Sequence, residues 1–503
     1  MKKYLTTAID YANGEPHLGH ALEKILADVY ARYSRQRGDD VHFLMGMDEH
    51  GQKVAQTAAD RGITPRALVD EIAESFQRMW ARLSISYDQF IRTTSPAHIA
   101  GVLELLERIF ATNPDDFYER SYEGWYCVGC EAFKTDAEIV DGNCILHPTR
   151  TLEWVTERNW FFRLSRYGDF LRDHIDQHPS FIFPISRRNE IRAFLERGLE
   201  DISASRARLA WGIPFPRPTS DGVEQTTYVW FDALPNYLTA APNRWPAQVH
   251  FVGKDITRFH CVIWPAMLRA ADLPLPDRVW AHGFVTSGGD RLSKSAGVRI
   301  ELADAVERHG PDALRYFLMA EVPFDGDGEF SWERFDERYT SDLADAFGNL
   351  ASRTISMVER YCGGTVPAGG DPAIAALDKL DYDRYTELMG GISDYFPHAA
   401  LRAVWQTVYR GNEYVNRQAP WKLAKDPAQR AALETVLATS IAQLARQAIH
   451  LAPFMPDRAE ALWRQLGGPD SVHAQRLGPG SRPPNPTGWR VAKGDPLFPK
   501  SRD

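Results

Sequence analysis

Cysteine is scarce, with five in 503 residues, too few and an odd number for the disulfide framework of a small secreted scaffold. No apolar run approaches the ~18 residues that a bilayer span needs. The start, Met1-Lys2-Lys3-Tyr4-Leu5, meets polar Thr6, Thr7 and Asp10 before a signal core could form. These absences predict a soluble, cytoplasmic chain. Neither sign of charge dominates: 58 Lys+Arg against 67 Asp+Glu leave a net −9. That balance argues against a generic polyanion-coating protein, yet leaves open nucleic-acid binding through local patches. Gly-x-Gly-x-x-Gly, a Walker loop and His-Glu-x-x-His are all missing, which removes the usual signals of dinucleotide, P-loop and zincin chemistry. Asp325-Gly-Asp327-Gly-Glu329 begins like a calcium loop, but Phe330 stands where glycine is required, so it reads as a turn.

What is present is ordinary globular composition, 44% hydrophobic and 25% charged, over a length that corresponds to about three domains. Residues 3–9 read as a buried strand. Leu18, Leu22, Ile25, Val29 and Tyr33 then recur at helical spacing up to Arg37-Gly38, and 41–45 is the next apolar run, which completes a βαβ unit. A second unit follows far downstream: strand 249–252, helix 259–270, strand 279–281. Between them lies an insertion of roughly 115–225 that carries three of the cysteines. From about 340 the periodicity is helical throughout, 363–372 is a loop, and 476–503 is rich in Pro, Gly and basic residues. The expected architecture is α/β: a doubly wound, parallel-sheet, Rossmann-like catalytic domain split by a zinc-binding insertion and followed by an α-helical bundle. The boundaries are 1–114 and 226–297 for the two catalytic halves, 115–225 for the insertion, 298–345 for a linker region, and 346–503 for the helical domain with its tail.

Two loops carry phosphate chemistry. Tyr11-Ala12-Asn13-Gly14-Glu15-Pro16-His17-Leu18-Gly19-His20 joins the first strand to the first helix, beyond the strand carboxyl end where α/β sheets bind ligands. Pro16 suits a helix start. Two imidazoles around a glycine at a helix N-terminus let a phosphate approach backbone N–H groups while both rings donate to it. Taken alone, the same residues also read as a plain helix cap. Gly288-Gly289-Asp290-Arg291-Leu292-Ser293-Lys294-Ser295-Ala296-Gly297 is a glycine-flanked loop after the last strand of the second unit. It can close over a pyrophosphate, with Lys294 neutralising the leaving group. Each motif follows a strand of one half of a split sheet, and together they point to nucleotide chemistry.

Cys127-Val-Gly-Cys130 and, thirteen residues on, Cys144-Ile-Leu-His147 offer three thiolates and an imidazole in two pairs flanked by the turn glycines Gly129 and Gly142. This is a closed tetrahedral set of the kind that holds a structural Zn2+, so the metal is expected to support the insertion's fold rather than do chemistry. Cys261 and Cys362 read as packing residues.

With these motifs the chain resembles the class I aminoacyl-tRNA synthetases and, within them, the methionyl-tRNA synthetase family. His17-Leu18-Gly19-His20 is similar to the HIGH signature and Arg291-Leu292-Ser293-Lys294-Ser295 to KMSKS, with Arg291 and Leu292 in place of Lys and Met. Arginine is not a strict equivalent of lysine at a phosphate. The strings 228–234 (Tyr-Val-Trp-Phe-Asp-Ala-Leu), 253–256 (Gly-Lys-Asp-Ile), Phe259-His260 and 264–267 (Trp-Pro-Ala-Met) also look like that family's, so the likeness runs over nearly the whole chain. The resemblance implies a ligase that activates L-methionine with ATP and Mg2+ to methionyl-adenylate and pyrophosphate. The methionyl group then passes to the 3′-terminal adenosine of tRNA(Met), initiator tRNA included. It implies His17 and His20 at the α-phosphate, Lys294 helped by Arg291 at the pyrophosphate, and Gly19, Gly253, Lys254 and Asp255 on the nucleotide. For methionine it implies walls from Ala8, Ile9, Tyr11, Trp230, Ala233, Tyr237, Ile256, Phe259 and His260, with Asp48 as the anion for the α-ammonium. Asn349, Arg353, Pro420 and Trp421 stand at the family's anticodon-reading positions, whereas helical periodicity alone gives only an exposed polar face.

Other readings fit less of the chain. A nucleotidyltransferase with the same His-x-Gly-His site would have no use for the long helical region. A non-catalytic tRNA-binding paralogue would not need His17, His20, Asp48 and Lys294. Leucine, valine and isoleucine synthetases would carry a much larger insertion, and the cysteine enzyme a thiolate-seeking site metal. The expected partners are tRNA, ATP and methionine, with no membrane and no DNA. A monomer is expected, because no dimerising module follows the bundle before Asp503.

Overall fold

A computed structural model of the chain describes residues 1–127, 132–134, 138–145, 147–207, 209–287, 290–291, 300–390, 395–478 and 481–500, with backbone alone at 122, 132, 133, 147–150, 290 and 291. The strand β1 (Lys2–Thr7) runs into the two-residue β2 (Asp10–Tyr11), the helix α1 (Leu18–Gln36), the long strand β3 (Asp40–Asp48) and then β4 (Gln89–Arg92). The chain next makes the antiparallel ribbon of β5 (Phe117–Cys127) and β6 (Glu153–Phe162), in register from Phe162 opposite Phe117 to Glu153 opposite Tyr126. Ile182–Phe183 forms β7. The second half supplies α2 (Val229–Ala233), β8 (Val249–Gly253), α3 (Trp264–Ala270), β9 (Val279–His282) and β10 (Val285–Ser287).

The main sheet has the order β7-β9-β8-β1-β3-β4 and is parallel throughout. Leu44 pairs with Thr6 on one side and Gln89 on the other, which sets β1 and β4 on opposite edges of β3. The winding therefore reverses between β1 and β8, the two halves of a doubly wound Rossmann-like domain. β7 comes from within the 115–225 excursion, so that segment is not wholly separate from the sheet: Ile182 pairs with Val279 and extends its edge. Two residues are too short for a hydrophobic period to register in sequence.

Helical structure begins at Leu302–His309, earlier than the 340 that periodicity indicates, and continues in α4 (Pro311–Glu321). The two-residue strand Gly328–Glu329 pairs in parallel with β10 in a small sheet of its own and ties this stretch to the segment that follows β9. The remaining helices are α5 (Asn349–Cys362), α6 (Pro372–Gly390), α7 (Pro397–Gln418), α8 (Arg430–Leu451) and α9 (Pro456–Gln465). One apolar core contains Leu5, Val29, Phe251 and Trp280 of the catalytic domain together with Leu401, Val404 and Leu444 of the helical domain. Consequently α1 is buried nearly all round, as a helix enclosed on every side must be. Its backbone is read from the helical domain: Tyr395 Oη donates to Leu26 O at 2.8 Å, and Gln36 Nε2 donates to Ile449 O at 2.9 Å. A second core on the opposite face of the sheet joins Val252 and Trp264 to Phe117, Phe162 and Ile182 of the insertion. The tail at 477–499 lies back on the body through Leu477 N–H to Gln36 O, Val366 N–H to Trp489 O and Tyr339 Oη to Pro499 O. Among the described residues no helix is long and apolar enough to cross a membrane.

Candidate active site

A cavity of about 480 Å³ opens at the carboxyl ends of β1 and β8. His17 is the N-cap of α1: its Nδ1 accepts from the N–H groups of Gly19 at 3.1 Å and His20 at 3.4 Å, while His20 Nδ1 accepts from His17 N–H at 3.3 Å. The two rings stack with centroids 3.7 Å apart. An Nδ1 that accepts carries no proton, so each neutral ring has its proton on Nε2, and the cap fixes both rings as Nε2–H donors. Gly19 leaves room for this stack, because a Cβ there would stand 3.0 Å from the His17 ring and press it aside. One detail departs from the sequence expectation. The N–H groups of Gly19 and His20 already serve His17, so the donors at this helix start are the rings in place of those two amides.

Of the residues expected to contact methionine, Ala8, Ile9, Tyr11, Asp48, Trp230, Ala233, Tyr237, Ile256 and His260 all line the cavity. Phe259 stands behind them, stacked on Trp230 at 3.5 Å and 8°. The segment Phe259–Ile263 winds as a π-helix, a wide turn frequent at functional sites. His260 Nδ1 donates to Ile256 O at 3.0 Å, and Tyr237 Oη donates to His260 Nε2 at 2.7 Å. Burial pushes His260 down to about 4 and raises Tyr237 well above its usual range, so both are neutral. The pocket is then apolar and aromatic, with the Asp48 carboxylate at its rim.

On the nucleotide side His17, Gly19, His20, Gly253 and Asp255 line the same cavity. Lys254 does not: its Nζ lies 2.7 Å from both carboxylate oxygens of Asp327 and 4.5 Å from the Phe284 ring centroid. Lys294 and the side chain of Arg291 lie outside the described residues.

Two polar groups of the site escaped the sequence reading. Asp10, Glu23 and His282 line the cavity floor, and the fully buried Lys24 lies among them. Burial opposes ionisation of all three partners. It pushes Asp10 up to about 7, while Glu23 is held below its ordinary range by Lys24 and His282, and the two carboxylates keep Lys24 charged. The signal was available as Glu23-Lys24 between Leu22 and Ile25, two charges where the 3.6 period demands core. The second group is Asp232, buried beside Ala233, which accepts from His50 Nδ1 at 2.6 Å and His98 Nε2 at 3.0 Å. Burial raises its proton affinity, but those hydrogen bonds outweigh it and hold the carboxylate below its usual range. They tie α2, which carries Trp230, to the loop after Asp48.

In the insertion Cys127 and Cys144 are buried against Leu152. Ile139–Val140, Asn143–Cys144 and His147–Thr151 form a three-stranded sheet in which Cys144 is opposite His147. Cys130 and the His147 side chain lie outside the described residues, and among the described residues no set of three metal-ligating side chains is assembled. In the helical domain Arg353 Nη1 donates to Asn416 Oδ1 at 2.8 Å and Nη2 to Asn412 Oδ1 at 2.9 Å. Burial lowers its pKa. Asn349 lies one turn earlier, exposed. Ala419, in the left-handed region at φ 43°, turns the chain out of α7 into buried Pro420 and Trp421, which is 40% exposed.

A doubly wound sheet with His-x-Gly-His capping the helix after its first strand, divided by an insertion and continued by a helical domain, defines a class I aminoacyl-tRNA synthetase. A family described as tRNA synthetases class I (M) matches residues 3–151 and 137–355, and one described as the anticodon binding domain of methionyl tRNA ligase matches 364–500. The chain belongs to the methionyl-tRNA synthetase family. It is 43% identical over 480 residues to a methionine--tRNA ligase of Thermosynechococcus vestitus, covering 92% of this chain and 89% of that one. It is 40% identical over 531 residues to that of Streptomyces coelicolor, covering 99% and 96%. Among solved structures, Mycobacterium tuberculosis methionyl-tRNA synthetase in complex with methionyl-adenylate superposes with a TM-score of 0.92 at 38% identity, covering 99% and 100%.

Proposed function

We propose that this chain is a methionine--tRNA ligase that forms methionyl-adenylate and pyrophosphate from L-methionine and ATP, then transfers the methionyl group to the 3′-terminal adenosine of tRNA(Met), initiator tRNA included. The cavity at the switch point carries the reading, because it joins an apolar, aromatic pocket with one carboxylate to a pair of Nε2–H donors at a helix N-terminus. In this reading Asp48 receives the α-ammonium and Trp230, Ala233, Tyr237, Ile256 and His260 enclose the thioether, with Phe259 supporting Trp230. The methionine carboxylate attacks the α-phosphorus, and His17 and His20 donate to the phosphoryl oxygens as charge builds on them. No group of the protein becomes covalently attached, so catalysis is positioning plus electrostatics. Gly253 lets backbone approach the nucleotide, Asp255 accepts from its hydroxyls, and Lys294 with Arg291 neutralises the pyrophosphate. Lys254, paired with Asp327 and set against the Phe284 ring, holds the cavity's outer wall. Mg2+ accompanies ATP and neutralises its phosphates.

The chain divides for this work as 1–114 with 226–297 for adenylation, 115–225 as the insertion, 298–345 beside the tRNA stem, and 346–503 for the anticodon through Asn349, Arg353, Pro420 and Trp421. Cys127, Cys130, Cys144 and His147 would hold one Zn2+. Two of these thiols, on strands of two different small sheets, are buried together with Leu152 in a cluster that has almost no other apolar core among the described residues, where a metal substitutes for missing packing. We infer a cytoplasmic monomer. ATP–pyrophosphate exchange is the test, run with methionine beside leucine, isoleucine, valine and cysteine and followed by tRNA charging. Methionine alone is expected to support exchange; equal exchange with another of these amino acids, or none with methionine, refutes the reading.

A further inference from the structure

The cavity floor holds more charge than the adenylation reading uses. Lys24 Nζ donates to Ala8 O at 2.8 Å, Asp10 Oδ1 at 2.8 Å and Glu23 Oε1 at 2.7 Å, which occupies all three N–H bonds of the ammonium. Glu23 Oε2 faces His282 Nε2 at 3.3 Å, and His282 Nδ1 lies 2.7 Å from Gly283 O. A carbonyl only accepts, so Nδ1 carries a proton. The four side chains form one linked, buried set at 7% exposure or less.

The set spans the seam of the split domain. Ala8 and Asp10 lie on the segment leaving β1, Glu23 and Lys24 lie on α1 one turn beyond His20, and His282 ends β9 two residues before β10, which leads to Asp290-Arg291. Replacing a buried ionic set by apolar side chains of similar volume is commonly neutral or stabilising. Stability alone therefore does not account for four ionisable groups here, whereas ion pairs fix direction and distance in a way apolar contacts do not.

Resting on the adenylation reading, we propose that Lys24 is a positioning residue. Through Ala8, Asp10 and the Glu23–His282 link it locks the segment bearing His17 and His20 to the strand that leads into the 291–295 loop, so that both sets of groups reach the triphosphate in register. Misplacement of reacting groups by about 1 Å costs on the order of 10²-fold in rate.

Lys24→Met alone strands a carboxylate, so the working variant is Asp10→Asn with Lys24→Met, which removes one charge of each sign. Glu23→Gln, which cuts the tie to His282 with little change of shape, is read beside it. Folding is checked by circular dichroism, and kcat and KM by methionine-dependent ATP–pyrophosphate exchange. The expected result is a kcat lower by about 10- to 100-fold with KM for methionine changed by less than about threefold. A purely structural role predicts full kcat once charge is balanced. Either variant, folded and with kcat within about twofold of the parent, overturns the proposal. The parent enzyme run alongside separates the two readings: methionine-dependent exchange there upholds the function even when a variant refutes the role of Lys24.

Discussion

Arg315 on α4 is fully buried and joins the two domains. Its Nη2 lies 2.7 Å from Asp28 Oδ2 on α1, and its three nitrogens donate to Leu83 O at 3.1 Å, Pro453 O at 2.7 Å and Phe454 O at 2.8 Å. Arg315→Leu removes the guanidinium, leaves these three carbonyls without it, and leaves Asp28 only Arg32 and Ser86. Breaking a buried pair by deleting one partner costs about 3–5 kcal/mol. Linkage gives an independent figure. Burial raises the Asp28 proton affinity, but Arg32 and Arg315 prevail and hold it at about 2. Against ~3.9 in the unfolded chain, that is roughly 2.6 kcal/mol shared between the two arginines. A loss of about 4 kcal/mol is therefore expected for Arg315→Leu. Arg315→Leu with Asp28→Asn should lose at least ~1.5 kcal/mol less than the sum of the singles.

The pH dependence follows from two carboxyls. Asp28, held low, contributes stability that is present above the unfolded carboxyl pKa and is lost only as pH falls through about 2. Asp312 is pushed up to about 7 by burial, with Arg315 partly opposing the shift. A raised carboxyl costs stability as pH climbs from its unfolded value to its folded one. Without Arg315 the folded value rises further, so the penalty of the variant should grow as pH passes 7. Native-state hydrogen exchange on peptides covering 21–33 and 444–455 isolates the joint in a chain too large for two-state melting. Opening free energies within 1 kcal/mol of the parent in both peptides would refute the reasoning.

His17→Asn retains a side-chain oxygen that can cap α1, so stability should hold to within ~0.5 kcal/mol while exchange slows by about 10²–10³-fold; full activity would show that capping was the whole role of His17. Arg353→Ala should weaken tRNA charging by at least about tenfold and leave ATP–pyrophosphate exchange intact, because its contacts lie on α7 far from the cavity; a parallel fall in exchange counts against an anticodon role. Chelation should release about one zinc per chain, and Cys144→Ser should lower the metal content, with protease cleavage appearing first in 117–153; unchanged metal content in that variant rules out Cys144 as a ligand.

The parts of the site that were legible share one property: their meaning is local. His17-Leu18-Gly19-His20 reads as a helix start bearing two rings because the cap is made by residues two and three positions away. The strings around Trp230 and Ile256 carry the pocket because each sits on one short segment. The alternation of strand and helix over 2–48 and 249–282 likewise depends on neighbours in sequence, and it is enough to predict a doubly wound sheet.

What the tertiary structure alone decided involves partners far apart along the chain. Lys254 reads as a nucleotide-side cation, and only the fold shows that Asp327, 73 residues on, pairs with its ammonium. Glu23 and Lys24 look like surface charges misplaced in a helix until Asp10 and His282 enclose them. Asp232 becomes a brace only when His50 and His98 meet on it, and Arg315 becomes a joint only when α1 and the end of α8 close around it. The physical reason is common to all: an ionisable group is tolerable in a low-dielectric interior only with its counter-charge in contact, and sequence periodicity records whether a position is buried but not which distant residue will face it. The sequence by itself thus determined the class of sheet, the cap and the pocket walls, and folding determined which charges bind one another and which remain for the substrate.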